Sequence, residues 1–448
     1  MGLIERIKKM NVESPLRYEF RILLEYHDVI RTHVPFLYRW WIALSRKRTL
    51  RGAKRLQNRQ RIDVAFVLAV PGMWKLDFVF RAMQQSKRYH PYIVLIPYTV
   101  YKGYSNEEME KTLRRTEEFV KTRGFEYIIP RDEKTGRWID IKKTLNPDMV
   151  FFTCPYKDMK PMYHPRHYTD RLTCFTTYGF SSMKLFRNNY QKLALNLCGA
   201  YFLETTMHKR FAKQYAQSRG RNCYVTGYPG CEVYLRDDYQ SKEVWLQQDV
   251  KKKRIIWAPH HTIDGTFSVS TFLDVCDIML EVAKKYADRV QFAFKPHQLL
   301  KFKLIEMWGE EKSNDYYKQW ETMPNCQLEE GDYTDLFIGS DAMMHDSCSF
   351  TTEYLYQRKP VMYLLKNNPQ DVFNDFGIMS FNQHYHGRTR EDIEHFIEDV
   401  VLSGNDPKKE GREQFFKEYL GPYNSALPSE NIMKIIESLI AGKDPNAK

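Results

Sequence analysis

Three short stretches carry the residues best suited to chemistry. They are "APHHT" with His260 and His261, "FKPHQ" with Lys295 and His297, and "HDSCSFTTE" with Asp346, Ser347, Cys348, Ser349 and Glu353. Each follows or ends an apolar run of strand length, at 254–259, 290–296 and 341–346. Ligands of open α/β sheets bind beyond the carboxyl ends of the strands. The shared position marks these stretches as a site more strongly than any single residue does. Imidazoles there can hold anions or move protons. Either His260 or His261 could be a general base or a phosphate ligand. His297 either donates to a diphosphate or fills a polar corner.

The third stretch opens a helix near 349–357. The first N–H groups of a helix lack partners and its N-terminus carries partial positive charge, which favours anions. Ser347 and Ser349 add hydroxyls, and Lys295 adds a cation. Glu353, one turn further on, suits ribose hydroxyls. Plain helix capping by Ser347 or Ser349 is the competing explanation. A nucleophilic Cys348 helped by His345 or Asp346 is disfavoured. Partners in cysteine hydrolases come from distant segments, and no glycine-flanked sharp turn surrounds the thiol.

The elements around these residues alternate. Strands are expected at 62–70, 91–98, 125–130, 147–156, 172–180 and 222–230, with a helix at 105–123 capped by Ser105 and Glu108 and ended by Gly124. A charged stretch, 236–254, separates a second series. Its strands are 254–259, 290–296, 325–328, 341–346 and 360–365. Its helices lie near 270–286, 332–338 and 349–357, and helices at 390–402 and 429–441 finish the chain. Strand–helix alternation predicts parallel sheets. The expected fold is α/β, with two Rossmann-like domains facing a cleft. The domains are a leader over 1–61, a first domain over 62–235, a second over 250–420, and a terminal helix and tail over 421–448.

The leader holds Trp40, Trp41, Arg46, Lys47 and Arg48, and carries nine basic and no acidic residues between Arg39 and Arg61. Aromatics followed by a basic helix fit a segment lying on an anionic membrane surface. A helix docked on the body with one solvated basic face is the alternative. The net charge of +12 over 448 residues favours anionic partners. Nucleic acid is not expected, because no nucleic-acid-binding motif accompanies the charge. No apolar run reaches the roughly 18–20 residues that span a bilayer. The start has no signal-peptide pattern, and Arg6 occupies the position where myristoylation wants Ser or Thr. Eight scattered cysteines without zinc spacing read as reduced thiols, so no metal or other cofactor is expected. Asp237 and Asp238 fall in the charged linker and read as solvated.

Residues 222–365 resemble the CDP-glycerol:poly(glycerophosphate) glycerophosphotransferases, a family with the GT-B fold. The resemblance rests on "VTGYPGCE", "WAP", "KPHQ" and "TDLFIGSDAMMHDSCSFTTEYLYQRKPVMYL". In register, Asp346 matches the family's aspartate and Ser349 its second serine. Cys348 stands at the first serine, and Glu353 replaces an aspartate. The family's first-domain His-Gly-Thr-Pro motif is absent, and "TTYGFSSMK" occupies the corresponding strand end. The resemblance implies a transferase acting in capsule or teichoic-acid-like polymer synthesis. It would use a nucleotide-diphosphate-linked donor, such as CDP-glycerol, and a glycan or lipid-linked acceptor. The acceptor hydroxyl would attack the β-phosphorus with His261 as base, and CMP would leave. The place implied is the cytoplasmic face of the bacterial plasma membrane, held peripherally. A sugar-nucleotide glycosyltransferase of the same fold and a non-catalytic scaffold of a capsule assembly are the alternatives.

Overall fold

The computed structural model describes residues 35–99, 106–154, 159–265 and 268–447. Ser105, Arg6 and the start of the leader lie outside the described residues. The chain divides into two compact units. The first gathers residues up to Gly179, Leu185–Gly230 and Tyr423–Lys448; the second gathers Phe180–Lys184 and Cys231–Pro422. The terminal stretch therefore does not stand apart as a tail. Its helix, Pro428–Ile440, packs on the leader helix and on helix Asp77–Gln85.

The first unit holds β1 (Ile62–Leu68), β2 (Tyr89–Leu95), β3 (Tyr127–Ile128), β4 (Met149–Phe152), β5 (Leu172–Thr176), β6 (Ala200–Leu203) and β7 (Cys223–Val225). They form one sheet in the order β3-β2-β1-β4-β5-β6-β7, parallel throughout. Strands such as "IDVAFVL" are apolar on both faces because helices cover both faces of a parallel sheet. Phe66 of β1 stacks on Phe151 of β4, with centroids 4.4 Å apart.

The second unit holds β8 (Lys253–Ala258), β9 (Val290–Phe294), β10 (Cys326–Leu328), β11 (Ala342–His345), β12 (Val361–Leu364) and β13 (Tyr385–Gly387). Their order is β10-β9-β8-β11-β12-β13, again parallel. Trp257 is wholly buried at the centre of this core, in ring contact with Phe272 and Phe294 and packed against Trp320.

The leader forms a helix, α1 (Pro35–Lys54). Tyr38, Ile42, Ser45, Thr49, Gly52 and Ala53 are buried on one face, and Tyr38 and Ile42 cluster with Leu193 and Leu197. A Cβ at Gly52 would sit 2.3 Å from the Asp170 carbonyl oxygen, so only glycine permits this approach. Two residues expected at a membrane face turn inward instead. Trp41 packs partly against the Tyr38 cluster. Arg46 donates to Gly199 O at 3.2 Å, to the Tyr224 hydroxyl at 3.0 Å and to Asp444 at 2.5 Å. Arg46 is thus a tie within the first unit, drawn in by partners that follow it by more than 150 residues. Trp40 is 62% exposed, and Lys47 and Arg48 also point to solvent. No helix among the described residues is long and apolar enough to cross a membrane.

Candidate functional site

The order β10-β9-β8-β11 makes β9, β8 and β11 neighbours, so their carboxyl ends meet. Register sets Trp257 beside Phe294 and Ala258 beside His345. The residues that follow are then pinned by the backbone. His297 N–H donates to Pro259 O at 3.0 Å, and Lys295 N–H donates to Trp257 O at 2.8 Å. Prolines at 259 and 296 end their strands, since proline cannot donate to a ladder.

Three imidazoles converge there. Ring centroids lie 4.3 Å apart for His260 and His261, 4.0 Å for His261 and His297, and 5.0 Å for His260 and His297. Burial holds His261 down to about 4, assisted by the cation of Lys303. His297 is held down to about 3 by burial, then by His261 and Lys295. His260 is held well below the usual imidazole range by burial and by the other two rings. The unliganded cluster is therefore neutral at pH 7.

Two rings have their tautomer set by backbone N–H groups, His260 by Thr262 N–H at 3.4 Å and His297 by Leu299 N–H. His297 Nδ1 accepts the Leu299 N–H at 3.1 Å, so its proton sits on Nε2. Nitrogen atoms of the three rings lie within 4.8 Å of one another, a spacing that could hold a metal ion. A metal-bound imidazole normally donates from its other nitrogen, and His297 Nδ1 accepts instead. The set is better suited to donating hydrogen bonds to an anion.

Asp346 is wholly buried, and its carboxylate is taken up by the protein's own donors. Its carboxylate accepts His260 N–H at 2.5 Å, Thr271 N–H at 2.5 Å, Thr271 Oγ1 at 2.9 Å and Ser270 Oγ at 3.1 Å. This corrects the expectation of a phosphate ligand: the carboxylate braces the loop after β8 and the start of helix Phe272–Lys285. Burial pushes its pKa up to about 6 against those bonds.

Glu353 is corrected likewise. It is 1% exposed, and its two oxygens accept the Phe180 N–H at 3.1 Å and the Tyr333 hydroxyl at 2.7 Å. It fastens the segment Phe180–Lys184, whose Ser182 hydroxyl also pairs with Thr352 Oγ1 at 2.8 Å. A ribose cannot reach it without breaking those bonds.

Ser347 is buried, and Ser349 is half-buried and makes no side-chain capping bond. Its hydroxyl is therefore not committed to capping. The helix it opens is short, Phe350–Glu353, and continues as a 3-10 turn to Gln357. Cys348 Sγ lies 3.8 Å from His260 Nε2, and burial pushes the thiol up to about 12. It stays protonated and is not a nucleophile. Lys295 is buried beside the rings.

Three participants escaped the sequence reading. Lys303 bears on His261 and pairs with Asp264 at 3.4 Å. Its place, two turns past His297 on an amphipathic helix, is the only signal for it. Ser270 and Thr271 read as an ordinary helix start, and their carboxylate partner is remote in sequence.

This arrangement defines a class: a two-unit α/β protein whose second sheet gathers histidines, a lysine and hydroxyls at its strand ends. The family profile of CDP-glycerol:poly(glycerophosphate) glycerophosphotransferase matches residues 188–438, more than half of the chain, and the chain belongs to that family. No curated protein matches the sequence. Three solved structures show the GT-B-like fold. A protein described as a UDP-N-acetylglucosamine 2-epimerase from Listeria monocytogenes aligns at TM-score 0.54 and 13% identity, over 87% of this chain and 99% of that one. MnaA of S. aureus, solved with UDP, aligns at 0.52 and 14%, over 85% and 97%. A variant of the wall teichoic acid polymerase TagF aligns at 0.51 and 11%, over 90% and 98%.

Proposed function

We propose that the protein moves glycerol phosphate, or a related polyol phosphate, from a CDP-linked donor to a surface glycan or a lipid-linked acceptor. The convergence of His260, His261, His297, Lys295, Ser347 and Ser349 at three adjacent strand ends carries this reading. It gains support from the family and from the polymerase among the structural neighbours. His297 donates from Nε2 to the diphosphate, beside Lys295 and the Ser349 hydroxyl. Donors fixed in place before reaction stabilise developing charge without reorganisation. The acceptor oxygen bonds to the β-phosphorus while the bridging P–O bond breaks and its electron pair leaves on CMP. The acceptor's proton passes to His261, the ring with an uncommitted nitrogen. Hydrogen-bond donors and Lys295 meet the negative charge, so the reaction needs no metal.

The exposed side of α1 supports a peripheral place on an anionic membrane. Phe36, Leu37 and Trp40 are exposed near its start, and Lys47, Arg48 and Arg51 further along. In a bacterium this would be the cytoplasmic face of the plasma membrane.

Purified protein given CDP-glycerol and a panel of sugar nucleotides tests the activity. CMP release with CDP-glycerol is expected; turnover only with a UDP- or GDP-sugar would overturn the reading in favour of a glycosyltransferase. The UDP-bound neighbour makes that second outcome worth including. Unchanged polymer formation in cells carrying His297→Ala and Ser349→Ala would instead indicate a scaffold.

A further inference from the structure

We propose that the donor's diphosphate activates its own general base: entering the cluster, it supplies the counter-charge that His261 lacks, and His261 becomes basic enough to take the acceptor's proton. This rests on the donor-site reading above and adds an order of events to it.

The geometry requires some such step. His261 has two close ring neighbours, and its Nδ1 is buried with no hydrogen-bond partner among the described residues. The charged and titratable groups facing the cluster offer it no uncompensated anion. On the loop after β8, Asp264 favours the charged ring, but it pairs with Lys303 of helix Leu300–Trp308, whose opposing effect on His261 is the larger. At the end of β9, Lys295 is a second cation. At the end of β11, the Asp346 carboxylate is spent on four donors and Cys348 is a protonated thiol. A base held down to about 4 is poorly matched to a reaction at neutral pH.

A diphosphate diester carries two negative charges across the neutral range. One such charge about 4 Å from an imidazole favours its protonation about a thousandfold at an effective dielectric constant near 20. That is enough to carry His261 into the neutral range. The added proton goes to His261 rather than His297, because His297 Nδ1 already accepts the Leu299 N–H. His260 is less suited, since its Nδ1 is engaged with Thr262 Oγ1 at 2.9 Å.

The sign of the linkage follows. A ring whose pKa rises on binding takes up protons with the ligand, so affinity strengthens as pH falls. Calorimetric titration of the full chain with CDP-glycerol, without acceptor, at pH 7 in two buffers of different ionisation enthalpy measures this directly. Uptake of about half a proton per donor is expected, with affinity about tenfold tighter at pH 6 than at pH 8. The variant His261→Asn should still bind CDP-glycerol but lose the uptake and most of the pH dependence. Binding without proton uptake in the wild type overturns the inference while leaving the donor site intact. Uptake that persists in His261→Asn overturns the choice of ring. Absence of CDP-glycerol binding removes the donor-site reading itself, and this inference with it.

Discussion

At the carboxyl edge of the first unit's sheet, Glu204 follows β6 and accepts the Thr177 hydroxyl at 2.9 Å. At the same edge of the second sheet, Asp346 follows β11 and accepts four donors. Both carboxylates are buried, and both tie neighbouring strand ends. The six strands that the two sheets share in pattern also run in one order. Yet among the described residues only the second edge gathers three rings, a lysine and hydroxyls. The difference teaches that strand order creates a place for a ligand, while the residues just past the strands decide whether chemistry happens there.

The largest effect should come from the rings. His261→Ala or His297→Ala should lower CMP release by about 10²–10⁴-fold, whereas Thr177→Val at the first edge should change it less than about tenfold. Equal losses at both edges would erase the contrast. Next come the carboxylates. Asp346→Asn turns an amide toward the Thr271 N–H and should cost about 2–4 kcal/mol in denaturant unfolding. Glu204→Gln, which can still accept from Thr177, should cost about 1 kcal/mol.

Acid should separate the units. In the first, burial lowers the imidazole of His167; in the second it lowers His260, His261, His297, His345, His384 and His386. Unfolded rings take up protons near pH 6.5, while the folded ones remain neutral, so their stability is present above that pH and lost as pH falls below it. His345, wholly buried and held at about 3, accounts for about 2 kcal/mol by pH 5. Asp346, raised to about 6, works the other way and returns about 1 kcal/mol. Calorimetric scans at pH 7 and pH 5 should show the second unit melting earlier on acidification; a shift confined to the first unit would contradict this. The smallest effects belong to α1. Lys47→Ala or Arg48→Ala should each weaken binding to anionic vesicles about fivefold, near 1 kcal/mol per charge. Arg46→Ala should leave vesicle binding unchanged and lower stability instead.

Much of this was legible because strand-end chemistry is local. The apolar runs before His260, His297 and Asp346 mark the sheet edge directly. The roles of Asp346, Glu353 and Arg46 were not legible, because long-range partners consume their charges. Glu353 meets Phe180 from 173 residues away, and Arg46 meets Asp444 from 398. Two strands were also missed. Ala200–Leu203 is only four residues long, and "YHG" at Tyr385–Gly387 has no apolar run at all.

The tie between Arg46 and Asp444 bears on how the protein is made. The ribosome delivers the whole of the second unit before residues 423–448 emerge. Until then Arg46 lacks Asp444, and Arg88 and Tyr89 lack Glu437. At about 5–20 residues per second, the first unit must wait about 10–40 s, nearly complete, for its last helix. A released chain truncated after Pro422 should therefore hold a finished second unit and a first unit still open to protease along α1.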